Sequence, residues 1–220
     1  MTELIILILV AYVAGSIPTS IIVSKLKYNT DIREHGSGNA GATNIFRTFG
    51  WKPALFVTLV DIFKGWLPAY VAGRIQSESI LFGANPDALM IIAGFAAVLG
   101  HTYTVFAGFK GGKGVGTAAG MLIALFPIAL PICLIVFALT LMITGIVSLS
   151  SMLAATALPI TLFIVEGIFP DSQISLTLRI FALLIPVFIV FTHRSNIKRM
   201  MEGTENRFEK ARILKKKSKI

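Results

Sequence analysis

Two cations stand in glycine frames. Arg47 closes "GSGNAGATNIFR" (36–47) and Lys113 sits inside "GFKGGKGVGT" (108–117). Glycine admits positive φ and lets a backbone approach a ligand closely. Successive amides in such turns form anion-binding nests. Ser37, Asn39, Thr43 and Asn44 add polar groups to the first stretch, and the Arg47 guanidinium matches two phosphate oxygens at once. Lys113 precedes an expected helix, whose N-terminus presents unbonded N–H groups and the positive end of a dipole. The chemistry is phosphate binding; the bland alternative is that the glycines serve only tight turns and close helix packing.

The second stretch is not a nucleotide loop. The pattern G-x-x-x-x-G-K-[ST] needs four intervening residues and a hydroxyl. Gly108 to Gly112 leaves three, and Gly114 stands where the hydroxyl should be. No group of Cys and His has zinc spacing, so neither metal nor cofactor is expected. The lone Cys133 lies in an apolar run and forms no intrachain disulfide.

These polar stretches are set in oil. The 220 residues are 55% hydrophobic and 14% charged, against about a quarter charged in soluble domains. A bilayer core takes about 20 apolar residues per helix. Spans are expected near 3–24, 53–73, 87–106, 114–127, 128–147, 151–168 and 176–192. The fold class is therefore all-α, a polytopic membrane helix bundle of about seven helices, and residues 1–220 form a single integral domain. The start "MTELIILILVAYVAG" lacks a basic n-region and a cleavage signal, so it reads as a retained span. Pro18 kinks it. "SLSS" (148–151) reads as a polar turn.

Charge sets the orientation, because cytoplasmic loops retain Lys and Arg. Lys25, Lys27, Arg33, Arg47 and Lys52 fall on one side, with Lys110, Lys113 and the basic tail at 194–220; Arg74, Glu78 and Asp171 fall on the other. The N-terminus is expected outside and the C-terminus in the cytoplasm. Both glycine stretches, the SLSS turn and the tail are then expected at the cytoplasmic face. The net charge of +9 is concentrated near "RILKKKSKI" (212–220). Following a membrane span, it suits anionic lipid rather than nucleic acid, or serves only as a topology signal.

Asp61 and Lys64, one helical turn apart in an apolar run, are expected to pair as a buried brace. His101 and His35 read as satisfied side chains beside the loops. His193 opens "HRSNIKRMMEGTENRF", where Arg194, Asn196 and Glu205 cluster as part of a site or of a surface helix.

Taken in order, "GSIPTS", "GSGNAGATNIFRTFG", "LVDIFKGWLP", "LGHTYTVFAGFKGGKGVGTAAG", "SLSS" and "HRSNIKRMMEGTENR" resemble the bacterial membrane acyl-phosphate:glycerol-3-phosphate acyltransferases. The resemblance spans nearly the whole chain. It implies a seven-helix fold of the inner membrane with a cytoplasmic site. It implies acyl transfer from acyl phosphate to the 1-hydroxyl of glycerol 3-phosphate, giving lysophosphatidic acid. It places substrate contacts at Ser37, Asn39, Thr43, Arg47, Gly111, Gly112, Gly114 and Glu205, and catalytic roles at Lys113, Ser151, Asn196 and His193. Ser150 stands beside Ser151 as an alternative.

An acyl phosphate is already activated, so no covalent nucleophile is needed. A His-x4-Asp base is absent, since Ala40, Phe106 and Lys198 lie five residues after His35, His101 and His193. His193 or the substrate phosphate is left to accept the proton, and which stretch holds which phosphate stays open. A phosphate transporter with broken helices is the competing class, and a lipid-binding scaffold is a third. Neither accounts as directly for both cations in glycine frames at one face.

Overall fold

A computed structural model describes residues 2–75, 85–169 and 174–208. Glu78, Asp171 and the segment 209–220 lie outside them. The chain forms two compact units, Met1–Pro127 and Ile128–Ile220, and its described regular elements are all helical.

In the first unit α1 (Thr2–Ser16) and α2 (Thr19–Tyr28) are one apolar run broken at Ile17–Pro18, because proline has no N–H for the helical ladder. A 3-10 turn at Ile32–Glu34 leads through the first glycine stretch to α3 (Ala42–Phe49). Then come α4 (Trp51–Ala72), α5 (Pro86–Thr102), a 3-10 turn at Val105–Ala107 and α6 (Val115–Leu125). Asn85 caps α5, its side-chain oxygen accepting from Ala88 N at 3.3 Å, and Pro86 occupies the first turn, where a missing N–H costs nothing.

Small residues let these helices pack backbone to backbone. A Cβ on Gly15 would overlap the Ala97 backbone, and one on Gly100 would meet Tyr12 O, which joins α1 to α5. Gly65 and Gly120 do the same for α4 and α6, against Thr117 and Ile62. Tight van der Waals approach replaces the hydrophobic drive that lipid does not supply. The packing reading of glycine thus holds for these four, while Gly36, Gly38 and Gly114 have φ of 58°, 70° and 78° and make turns.

The second unit comprises α7 (Ala129–Thr144), α8 (Val147–Ile168), α9 (Leu176–Thr192) and α10 (Arg194–Met201). Ser175 caps α9 by accepting from Leu178 N at 3.3 Å. The chain bends by 59° between α9 and α10. The SLSS segment corrects the sequence reading: it is the first turn of α8, not a loop. Gly145, with φ of 71°, ends α7 and reverses the chain with Ile146 alone. Ser150 and Ser151 are accommodated there because their hydroxyls bond back to carbonyls four residues earlier.

Among the described residues four helical stretches are long and apolar enough to cross a membrane: Thr2–Tyr28, Trp51–Ala72, Pro86–Ala107 and Val147–Ile168. The bent pair α9–α10 makes a fifth; α6 and α7 are shorter apolar helices. Large apolar side chains stand bare along them, Phe163 at 79% and Leu183 at 62% exposure, as lipid contact requires and water would penalise.

Candidate active site

Asn44 organises the first glycine stretch. It is buried at the start of α3. Its amide nitrogen donates to Ile32 O, His35 O and Asn39 O at 3.0, 2.8 and 3.1 Å, and its oxygen accepts from Ser37 N at 2.9 Å. One side chain thereby engages four backbone groups of a loop with no ladder of its own, its two N–H donors shared among three carbonyls. A Cβ on Gly36 would run into that same oxygen.

Below this loop Asp31 accepts from Arg33 N and Nε, both at 3.0 Å, and from Nη2 at 2.8 Å. The Arg33 hydrogen bonds hold the Asp31 carboxyl well below its usual range, and Lys25 adds to the effect. Arg33 Nη1 donates to Ala107 O at 3.0 Å, which ties the first stretch to the approach of the second.

The second stretch folds back on the end of α5. Gly111 N donates to Thr102 O and Gly112 N to His101 O, each at 3.1 Å. The resemblance places substrate contacts at Gly111 and Gly112; in the structure their amides are engaged within the loop. A Cβ on Gly111 would collide with His101 O; one on Gly112 would overlap the His101 ring and lie 2.9 Å from Ala40 O. The two stretches therefore touch. Gly114 then starts α6, whose first amides lack intrahelical acceptors. Lys113 sits at that junction, partly buried. Ser37, Asn39, Thr43 and Arg47 are likewise partly buried. Thr43 and Arg47 share a face of α3. The first stretch, which holds Ser37 and Asn39 and leads into α3, meets the second at Ala40 and Gly112, next to Lys113.

The second unit carries a carboxylate clamp. Glu205 Oε1 accepts from Ser148 Oγ at 2.8 Å and Asn196 Nδ2 at 2.6 Å, and Oε2 accepts from Arg199 Nε at 2.7 Å. Burial raises the Glu205 pKa, but the donors Asn196, Ser148 and Arg199 outweigh it and hold the carboxyl below its usual range. Phe208 N donates to Gly145 O at 2.7 Å and pins the extended segment that carries Glu205. His193 is buried at the α9–α10 bend, its Nδ1–H donating to Ile189 O at 2.8 Å. Ser151 Oγ donates to Val147 O and Ser150 Oγ to Ile146 O, each at 2.9 Å.

Sequence reasoning missed Ser148, Arg199 and the central role of Asn44. Helical spacing puts Ser148 and Ser151 three apart on one face of α8, but no sequence signal says which serine meets the tail. Among the described residues no group of three or more His, Cys, Asp or Glu could hold a metal.

The glycerol-3-phosphate acyltransferase family matches residues 5–203. The chain belongs to that family. It is similar to the glycerol-3-phosphate acyltransferase of Chlorobaculum tepidum, 48% identical over 91% of this chain and 94% of that one. The Chlorobium luteolum protein of the same name is 44% identical over 94% and 97%. Among solved structures it resembles PlsY, described as an integral membrane glycerol 3-phosphate acyltransferase, in its glycerol 3-phosphate form: TM-score 0.81, 34% identity, covering 94% of this chain and 96% of PlsY. The lysophosphatidic acid form gives 0.78 and 32% over 94% and 95%.

Proposed function

We propose that this protein transfers a fatty acyl group from acyl phosphate to the 1-hydroxyl of glycerol 3-phosphate, releasing lysophosphatidic acid and phosphate. Membership of an acyltransferase family favours this over a transporter. The observation that supports it is the contact of the two glycine-rich stretches at Gly112 and Ala40, one residue from Lys113 and just before the helix that carries Arg47.

The hydroxyl oxygen attacks the acyl carbonyl carbon. The bond from that carbon to the bridging oxygen breaks, and phosphate leaves with the electron pair. Lys113 and Arg47 neutralise phosphate charge. Ser37, Asn39 and Thr43 supply hydrogen bonds, and Gly111, Gly112 and Gly114 leave room for close approach. The first amides of α6 add partial positive charge. Ser151, once its single hydroxyl hydrogen turns away from Val147 O, and Asn196 are donors for the reacting groups; one oxyanion donor is worth roughly 3–4 kcal/mol. Glu205 acts by fixing Asn196: its oxygens already hold three donors, and a bare carboxylate would repel phosphate.

The hydroxyl proton passes to a phosphate oxygen of the substrate, whose second pKa of about 6 suits the task. His193 is the competing acceptor, since its Nδ1–H bond leaves the lone pair on Nε2. His193→Ala should keep turnover within roughly tenfold of wild type at saturating substrate; complete loss with intact binding would assign the proton to the imidazole.

The glycine stretches and the Lys- and Arg-rich loops around them belong on the cytoplasmic side of a bacterial inner membrane. About seven spans, with the N-terminus outside, follow if α6 and α7 also cross. One integral domain and an anionic-lipid role for the tail complete the reading. Purified protein in lipidic mesophase tests it: phosphate should leave palmitoyl phosphate only when glycerol 3-phosphate is present. Release that does not depend on glycerol 3-phosphate, or flux across liposomes without chemistry, would refute it.

A further inference from the structure

The sequence contains no His-x4-Asp pair, yet the fold makes an Asp–His contact through space. Asp61 lies midway along α4 and His101 in the last turn of α5. Asp61 Oδ1 is 2.8 Å from Lys64 Nζ and 3.6 Å from His101 Nδ1, and all three side chains are buried. The longer distance is an electrostatic contact that orients the ring rather than a hydrogen bond. Lys64 Nζ also donates to Ile17 O at 2.9 Å, at the break before Pro18.

The far edge of the imidazole faces the second glycine stretch. A Cβ on Gly112 would overlap His101 Nε2 and lie 3.0 Å from Cδ2, while Gly112 N donates to His101 O. A general base needs an open path from its nitrogen to the substrate proton. Here the Gly112 backbone packs against Nε2, which favours a positioning role for the pair over that of a base. Four residues on, a Cβ on Gly116 would come within 3.2 Å of Asp61 Cβ. The loop rests on His101 just before Lys113, and α6 rests on Asp61 just after it.

We propose that the buried Asp61–His101 pair, completed by Lys64, is a platform that sets the position of the Gly112–Gly116 backbone and so aims Lys113 and the first amides of α6 at one substrate phosphate. This rests on the acyltransferase reading above. His101 is a positioning residue: it touches the loop, not the reacting atoms. The Asp61–Lys64 ion pair is thus more than a brace across the membrane interior, because its carboxylate also holds the ring that holds the loop.

The test is steady-state kinetics on the full chain in lipidic mesophase, with thermal unfolding of each variant as a control for folding. His101→Ala should raise the KM of one phosphorylated substrate about tenfold or more, leave that of the other within about twofold, and keep kcat within about threefold. His101→Gln, whose amide reaches the place of Nε2, should recover most of the lost KM. An unchanged KM in a folded His101→Ala protein overturns the proposal. So does a loss of kcat at unchanged KM that His101→Gln does not recover, since that assigns His101 to the chemistry. If both variants fail to fold, His101 is a brace of the fold and the proposal falls. Failure of the acyltransferase reading shows elsewhere, as wild-type protein that releases no phosphate in response to glycerol 3-phosphate.

Discussion

The two polar regions are built in opposite ways. In the first unit a neutral carboxamide, Asn44, holds a loop by its backbone, and glycines supply the conformations and the clearance. In the second unit a carboxylate, Glu205, holds side chains from α8 and α10 by charge-assisted bonds. On the proposed function, the difference follows from what each region must present. A region that receives phosphate must keep its own anions paired, and Asp31 is locked to Arg33. A region that aims neutral donors can use a carboxylate as their anchor. The first should break when shape or backbone satisfaction is lost, the second when charge is lost.

Asn44→Ala would break the comparison most severely. It leaves Ser37 N, Ile32 O, His35 O and Asn39 O without their shared partner. The expected cost is roughly 3 kcal/mol or more, read as a lower thermal unfolding midpoint with activity lost, and independent of pH between neutral and mildly acidic conditions.

Glu205→Gln should cost less and should show its effect through pH. The folded-state pKa of Glu205 lies below the unfolded value of about 4.3. Its stabilisation is therefore complete above that unfolded value and disappears as pH falls through the lowered folded one. Wild-type stability should decline in that acid window, and the Gln variant should decline less steeply. Above it the variant should be weaker by roughly 1.5–3 kcal/mol. Unfolding followed against pH checks both; identical slopes would deny the clamp its charge.

The smallest contrast separates two serines. Ser148→Ala removes a donor to Glu205 and should cost about 1 kcal/mol of stability. Ser151→Ala removes only a bond to its own helix, so stability should hold within about 0.5 kcal/mol while turnover falls. The reverse pattern would exchange their roles.

Long apolar runs announced the helices, because lipid demands length and leaves the backbone no alternative partner. Pro18 marked a real break, and Asp61 with Lys64 paired as their spacing implied. The serine cluster misled because two residues, Gly145 and Ile146, suffice for the reversal, so the serines fall inside α8. The glycine stretches stood out in the sequence, but the fate of their amides did not: whether Gly112 N meets a ligand or His101 O depends on how α5 ends. The Asp61–His101 contact was invisible for the same reason, since forty positions separate residues that only the α4–α5 packing brings together.

The central claim is that Arg47 and Lys113 act together on phosphorylated reactants. Glycerol 3-phosphate-dependent phosphate release from palmitoyl phosphate should fall at least about a hundredfold in Arg47→Ala and in Lys113→Ala, with unfolding midpoints unchanged. Either variant retaining wild-type release at low concentrations of both substrates would contradict it.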